Sequence, residues 1–202
     1  MRVAIFFGCV AIFTRSFRGE MLERSLHYLL LAPVRRELLV VGKFLGGVLA
    51  ATAVFEAGVV ACFAVMFGHF PEGSAFVGHG GGLGHLGAYV AITALACLGY
   101  GAVFLAVGLI FKNPTLPALV LFGLESWSAL LPSLLQRLTV TYYLKPLAPV
   151  TLPAEGWAAL LTVVVEPTPV WMAVGGLLIF AAVVVALSSV KVRTMQIHYT
   201  TD

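Results

Sequence analysis

The sequence predicts an all-α, polytopic membrane helix bundle, on three observations. Hydrophobic residues make up 60% of the 202-residue chain and charged residues only 10%, whereas a soluble domain carries about 25% charged residues. The mean hydropathy is +1.02, and a soluble fold of this size cannot bury so much apolar surface. Four apolar stretches are long enough to cross a membrane. We expect four complete transmembrane helices, a partial one at the N-terminus and one amphipathic helix at the cytoplasmic surface.

The first element is a short apolar run, residues 3–13, which is too short to cross the membrane. Behind Arg2 it resembles the core of a signal peptide. However, no cleavage site of the A-x-A type follows, and the basic residues Arg15 and Arg18 on its C-terminal side are wrong for such a peptide. The run therefore predicts the last half of a span, covering residues 1–14.

Residues 16–33 predict an amphipathic helix that Pro33 ends. Its polar face carries both charge signs and its opposite face carries leucines at the same helical period: Glu20, Glu23, Arg24 and His27 against Leu22, Leu26, Leu29 and Leu30. Two interpretations are open. The helix is either a plain interfacial connector or a docking helix for a cytoplasmic partner. The mixed charge favours docking, because a lipid anchor prefers a uniformly basic face.

Four long apolar stretches predict complete transmembrane helices. They lack the alternating pattern of strands and far exceed the length of a barrel strand. Their predicted bounds are residues 38–67, 86–111, 116–135 and 170–190.

The connection between the last two spans, residues 136–169, is long and contains five prolines. Within it, residues 157–165 are apolar but too few to cross. Two interpretations are open here as well. The segment either forms short helices that enter the outer leaflet and return, or lies flat in the interface with Trp157 as its anchor.

The distribution of Lys and Arg predicts the orientation of the spans. Nine basic residues lie in three regions that the alternation of spans places on one side: six within residues 15–43, then Lys112, then Lys191 and Arg193. The opposite side has three: Arg2, Arg137 and Lys145. We therefore expect the nine-residue side, including the C-terminus, to be cytoplasmic.

Two carboxylates, Glu56 and Glu125, fall inside predicted spans. An ionised carboxylate is costly at membrane depth, so such residues usually face the bundle interior or a wet cavity. Each is either a protonated group hydrogen-bonded to a neighbouring helix, or a polar lining of a substrate path or a contact that fixes helix register. Ser126, Trp127 and Ser128 follow Glu125 and add polar groups. We expect Glu125 to face the bundle or a dimer seam rather than lipid.

No pattern of catalytic, cofactor-binding or metal-binding residues accompanies these features. The glycine-rich stretch 78–84 lacks the Gly-Lys-[Ser/Thr] that grips phosphate. His69, His79 and His85 share one loop at a spacing that matches no standard metal site. The three cysteines lie in apolar runs and form no CxxC pair. No basic run is present that tracks a nucleic-acid backbone. We therefore expect no covalent chemistry, cofactor, metal or nucleic-acid partner.

Several motifs resemble the permease subunits of ABC-2-type transporters. They are Phe-Thr-Arg-Ser-Phe-Arg-Gly-Glu (13–20), Leu-Leu-Leu-Ala-Pro-Val-Arg-Arg-Glu-Leu (29–38) and Val-Gly-Lys-Phe-Leu (41–45). Glu20 matches the family's glutamate at the start of a cytoplasmic helix, and Gly42-Lys43 its Gly-Lys at the opening of a span. Residues 131–138 and 142–144 look like the outer end of the family's fifth helix. The resemblance covers most of residues 13–190.

This resemblance implies a transport subunit of an ABC exporter, in a bacterial inner membrane. It implies a homodimer or heterodimer of permeases, and a separate ATP-binding cassette ATPase that docks on the cytoplasmic helix. The docking residues that the resemblance implies are Arg18, Glu20, Glu23, Arg24 and His27. It also implies six spans, so the chain matches an N-terminally truncated permease. The alternative is a non-transport scaffold or assembly subunit of a membrane complex. The substrate is not indicated by any residue.

Overall fold

The structure, a computed structural model, describes residues 2–22, 36–69, 81–111, 113–128, 132–149 and 169–194. Within these ranges the regular structure is helical and includes no strand. Numbered in chain order, the helices are α1 (Arg2–Leu22), α2 (Arg36–Gly68), α3 (Gly82–Ile110), α4 (Thr115–Ser126), α5 (Ser133–Gln136), α6 (Val140–Leu144) and α7 (Val170–Thr194), with a 3₁₀ turn (Lys145–Leu147) after α6.

Three helices, α2, α3 and α7, are long and apolar enough to cross a membrane, which indicates an integral membrane protein. Glycine and alanine are frequent in them and proline is absent from their interiors, so each continues unbroken. The expected all-α membrane bundle agrees with this architecture. The expected count of four complete spans is not confirmed.

The helix at the centre of the bundle is α3, which contacts α1, α2, α4, α6 and α7. In the most apolar window of α3, 56% of the residues are buried, against 6% in α2 and 22% in α7. The outer surfaces of α2 and α7 are lined with exposed aliphatic side chains, which suits a helix surrounded by lipid. Polar groups that need protein partners are therefore expected to gather around α3.

The first helix lies against α3 in the same direction and against α2 in the opposite direction. Phe6 of α1 contacts Tyr100 of α3, with ring centroids 5.3 Å apart. Eight residues later Thr14 lies against Gly108, also further along α3. Against α2 the order reverses, because Gly8 lies at Phe55 whereas the later Phe13 lies at Gly47. α1 therefore runs parallel to α3 and antiparallel to α2.

One boundary of the predicted N-terminal elements differs in the structure. The sequence predicts a break between the partial span 1–14 and the amphipathic helix 16–33, but α1 runs continuously from Arg2 to Leu22. The reason is local, because no proline or glycine lies between Thr14 and Arg18 to interrupt the helix. The remainder of the predicted amphipathic helix lies outside the described residues.

One continuous span over residues 116–135 is not confirmed, because α4 ends at Ser126 and Trp127 closes its last turn through its backbone N–H to the carbonyl of Gly123. Twelve residues extend about 18 Å along a helix axis, which is short of the ~30 Å hydrocarbon core. The chain then continues into two short helices, α5 and α6. Within the described residues, the stretch that apolar length assigns to one span therefore belongs to two separate helices, α4 and α5.

The short helix α6 packs closely against α3 and α7. A Cβ atom at Gly99 of α3 would lie 2.9 Å from side-chain carbons of both Val140 and Leu177. At Gly176 of α7 it would lie 2.6 Å from the ring of Tyr143. Both glycines thus remove side-chain volume where α6 approaches, and this close approach fixes α6 on the α3–α7 pair.

Candidate functional site

The site is built around Glu125, the penultimate residue of α4. Its side chain is 6% exposed, although its neighbours Ser126 and Trp127 are exposed. Ala118 and Glu125 are the two buried residues of α4, and their separation of seven residues places them on one face of the helix. That face turns toward α3, and it carries a carboxylate into the protein interior.

Four donors converge on the two oxygens of the Glu125 carboxylate. The backbone N–H of Val140 donates to Oε1 at 2.7 Å. The backbone N–H of Thr141 donates to Oε2 at 3.2 Å, and the Thr141 hydroxyl donates to the same oxygen. The Tyr100 hydroxyl donates to Oε2 at 3.1 Å. Every one of these partners supplies a hydrogen, so the carboxylate acts as an acceptor at both oxygens.

Two of the donors are the first amides of α6. Amides in the first turn of a helix have no carbonyl partner within the helix, so they need another acceptor when buried. Val140 is 2% exposed and its amide finds that acceptor in Glu125. The preceding Thr139, also buried, donates its hydroxyl to the carbonyl of Gln136. The carboxylate and the start of α6 therefore satisfy each other inside the protein.

The third partner, Tyr100, lies on α3 with its ring 2% exposed. It is ten residues from the Ile110 end of α3, which is about 15 Å along the axis. Its hydroxyl also lies 3.4 Å from the Thr141 Oγ1. The site thus sits well inside α3 and joins side chains or amides from α3, α4 and α6.

An aromatic cluster holds α4 beside this polar site. Phe122 of α4 contacts Phe6 and Phe7 of α1, with ring centroids 5.3 and 5.1 Å apart. Phe6 also lies edge-on to Tyr100 and Phe104. Edge contacts of this kind stabilise beyond the area that they bury. The apolar cluster covers one side of the Tyr100–Glu125 contact.

This arrangement binds and positions the backbone amides at the start of α6. The carboxylate is already engaged by four donors, and no nucleophile–base pair accompanies it in the described part of the chain. Its chemical capacity is to tie α4 to α6 across α3. Such a contact is strong while both oxygens are engaged, because hydrogen bonds to charged groups are worth more than neutral ones.

Glu56, the second predicted intramembrane acid, lies elsewhere. It is half-buried on α2, one turn after Thr52. Cys97 is fully buried against Cys9 of α1. The Thr52 hydroxyl is buried and has no hydrogen-bond partner among the described residues. The structure does not bring Glu56 and Glu125 into one site.

The predicted docking residues lie at or beyond the end of α1. Arg18 and Glu20 are in its last turns, and their side chains are not described. Glu23, Arg24 and His27 lie outside the described residues, as does the apolar segment 157–165 of the outer connection. His69 and His85 are described at the ends of α2 and α3, and within the described ranges no group of three His, Cys, Asp or Glu side chains is placed to hold a metal.

Sequence reasoning singled out Glu125 and missed all of its partners. Tyr100 carries a weak signal, since it is a tyrosine between two glycines in the middle of an apolar span. Thr139 and Thr141 flank the first residue of α6, where hydroxyl side chains are common. The contact itself joins residues separated by 25 and 16 positions along the chain, and no periodicity reports such a distance.

Comparison of the chain with known proteins finds no matching protein family, no matching curated protein and no matching solved structure.

Proposed function

We propose that this chain is the membrane-spanning permease subunit of an ABC transporter of the ABC-2 type. It moves a substrate across the membrane with energy from ATP hydrolysed by a separate subunit. The proposal rests first on the motifs at residues 13–20, 29–38 and 41–45. Their order, from the end of a span through a charged surface helix to a Gly-Lys at the next span, is that of the permease family.

The structural observation that carries the proposal is the half-length helix α4, which ends on a buried carboxylate. Helices that stop at membrane depth are tolerated where protein or a water-filled cavity surrounds their ends. Transporters use such interrupted helices at the places where substrates pass. A carboxylate inside the membrane is likewise typical of a transport path or its gate. At Glu125 a helix end and a buried carboxylate occur together, and this combination supports a role in substrate transport more than a role as a static scaffold.

The segment after α1 supplies the second half of the proposed mechanism. The polar face that the sequence predicts for it carries both charge signs, which suits a protein partner at the cytoplasmic surface, and we assign that partner to the ATPase. Because α1 is continuous to Leu22, a push on this segment is transmitted along a rigid helix to Phe6 and Phe7, which contact α4. A mechanical path from the ATPase to the Glu125 site follows from this assignment.

The alternative is a scaffold or assembly subunit of a membrane complex. It accounts for apolar helices and for a chain without catalytic residues, but it assigns no role to the interrupted helix or to the charged surface segment. A scaffold stays bound to its complex regardless of nucleotide, which separates the two functions experimentally.

The test is purification of the affinity-tagged chain from its own membranes, followed by mass spectrometry and an ATP hydrolysis assay. We expect an ATPase with a Walker motif to co-purify and to hydrolyse ATP. The double variant Glu20→Ala, Arg24→Ala is expected to insert normally and to lose the ATPase. The matched control is Arg137→Ala on the opposite predicted side, which is expected to retain it. Co-purification of a membrane complex without any ATPase would support the scaffold instead.

A further inference from the structure

The two helices that the Glu125 carboxylate joins, α4 and α6, are packed in the protein to different degrees. On one side, α6 is fixed by close packing, because Val140 lies at Gly99 of α3 and Tyr143 lies at Gly176 of α7. Tyr143 also stacks near Phe180 of α7, with ring centroids 6.5 Å apart. The helix α6 therefore belongs to the α3–α7 frame.

On the other side, α4 is held at few points. Of its twelve residues only Ala118 and Glu125 are buried, and its other protein contacts include the ring contacts of Phe122. Four of its aliphatic side chains are largely exposed, Leu116, Leu119, Val120 and Leu124 at 67, 52, 64 and 42%, whereas Leu121 packs with Phe122 against the buried core. A helix so weakly packed moves more easily than its neighbours.

At the Ser126 end of α4, the contact with α6 that the structure records is the set of hydrogen bonds to the Glu125 carboxylate. Hydrogen bonds are directional and depend on a few atoms, so a small displacement of the carboxylate breaks them together. Packed apolar surfaces, in contrast, lose their attraction gradually as they slide. The carboxylate also serves amides that lack any partner within α6, so its departure leaves the start of α6 open to a new acceptor.

We propose that Glu125 is a releasable latch. While its carboxylate holds the amides of Val140 and Thr141, α4 is closed against the α3–α6–α7 frame. When the carboxylate leaves, α4 swings away about its Thr115 end and opens the space between α4 and α6. The biological role of the latch rests on the proposed transport function. The movement of α4 itself requires only this chain.

The test is a distance measurement between spin labels in lipid nanodiscs, with the three native cysteines replaced by alanine. One label is placed by Leu124→Cys on α4 and the other by Ile179→Cys on α7, both at exposed positions. The control pair is Leu49→Cys on α2 with Ile179→Cys, which leaves α4 out. Neither the ATPase nor a substrate is needed, so the outcome does not depend on whether the transport assignment is correct.

We expect one narrow distance in the parent protein. Glu125→Gln replaces one acceptor oxygen with an NH₂ group that faces donors, so a second population should appear, displaced by about one helical turn, ~5 Å. Tyr100→Phe removes one donor and should give the same population at a lower fraction. The control pair should not change. An unchanged α4–α7 distance in Glu125→Gln would overturn the latch, and so would a change in both pairs, because Glu125 would then hold the whole bundle together.

Discussion

The Oε1 atom of Glu125 lies 2.7 Å from the amide nitrogen of Val140, so the end of α4 supplies the acceptor that the start of α6 lacks. Fifteen residues separate the two in the chain, and the segment between them contains the turn at Trp127 and the short helix α5. The hydrogen bond thereby joins the two ends of the segment 125–140. Within the described residues, this segment contains the only interruption of a predicted span.

Two substitutions of Glu125 should distinguish the contribution of its acceptor oxygens from that of its side-chain shape. Glu125→Leu leaves the amides of Val140 and Thr141 buried without an acceptor, at a cost of about 1–3 kcal/mol for each unsatisfied group. Glu125→Gln retains one acceptor oxygen and should cost less. The free energy of unfolding in mixed detergent micelles measures both. The neighbouring exposed position supplies a control, since Ser126→Leu should be nearly neutral; equal losses at both positions would contradict a specific role of the carboxylate.

Removing the hydroxyl of Tyr100 should weaken the same site by one donor. Tyr100→Phe keeps the ring contact with Phe6 and loses the hydrogen bond to Glu125, so we expect a loss of about 1–2 kcal/mol in the free energy of unfolding. Tyr89→Phe, on the same helix but exposed, is the control and should change stability by less than about 0.5 kcal/mol. A Tyr100→Phe variant as stable as the Tyr89→Phe control would show that the hydroxyl contributes nothing.

Adding a methyl group where α6 approaches should destabilise the bundle. Gly99→Ala and Gly176→Ala each place a Cβ within 3 Å of a neighbouring side chain, and overpacking of this kind costs about 1–3 kcal/mol. On α2, a Cβ at Gly42 or Gly46 meets nothing within 4 Å in this chain. Gly42→Ala should therefore stabilise slightly, since alanine is favoured over glycine in a helix by about 0.5–1 kcal/mol. Thermal unfolding of the three variants side by side distinguishes the two crowded positions from the open one.

The orientation of the spans is predicted from the charge bias alone and is open to direct measurement. In a background without native cysteines, Ser74→Cys should react with an impermeant thiol reagent applied to intact cells. Thr194→Cys should react only after the membrane is opened, because the basic tail is expected in the cytoplasm. The reverse pattern of labelling would place the C-terminus outside.

The sequence predicted the membrane class and the core of the long helices well, because apolar length is a local property. Residues 38–67, 86–111 and 170–190 agree with α2, α3 and α7 within a few positions. The predicted span 116–135 is not confirmed, because the apolar composition continues past Ser126 whereas α4 ends there. Amino-acid composition does not encode the turn at Trp127, which lies two residues after the carboxylate that contacts α6.

One residue of the candidate site, Glu125, could be predicted from the sequence, but the geometry of the site could not. Glu125 attracts notice because an acid among apolar residues is costly unless it is paired. Its pairing is set by tertiary structure, since Tyr100 and Thr141 come from elements on either side of α4 in the chain. The amides that complete the site are backbone groups, and their availability depends on where α6 begins, which no side-chain pattern records.

The most direct test of this account is a double-mutant cycle between Glu125 and Thr141. Glu125→Gln, Thr141→Val and the double variant are compared by the free energy of unfolding in mixed micelles, since Thr141→Val removes the hydroxyl donor and keeps the shape. Because the two side chains are in contact, we predict a coupling energy of about 1–3 kcal/mol, with the second substitution costing little once the first is made. Effects that add to within about 0.5 kcal/mol, as for distant independent sites, would contradict the contact on which the account depends.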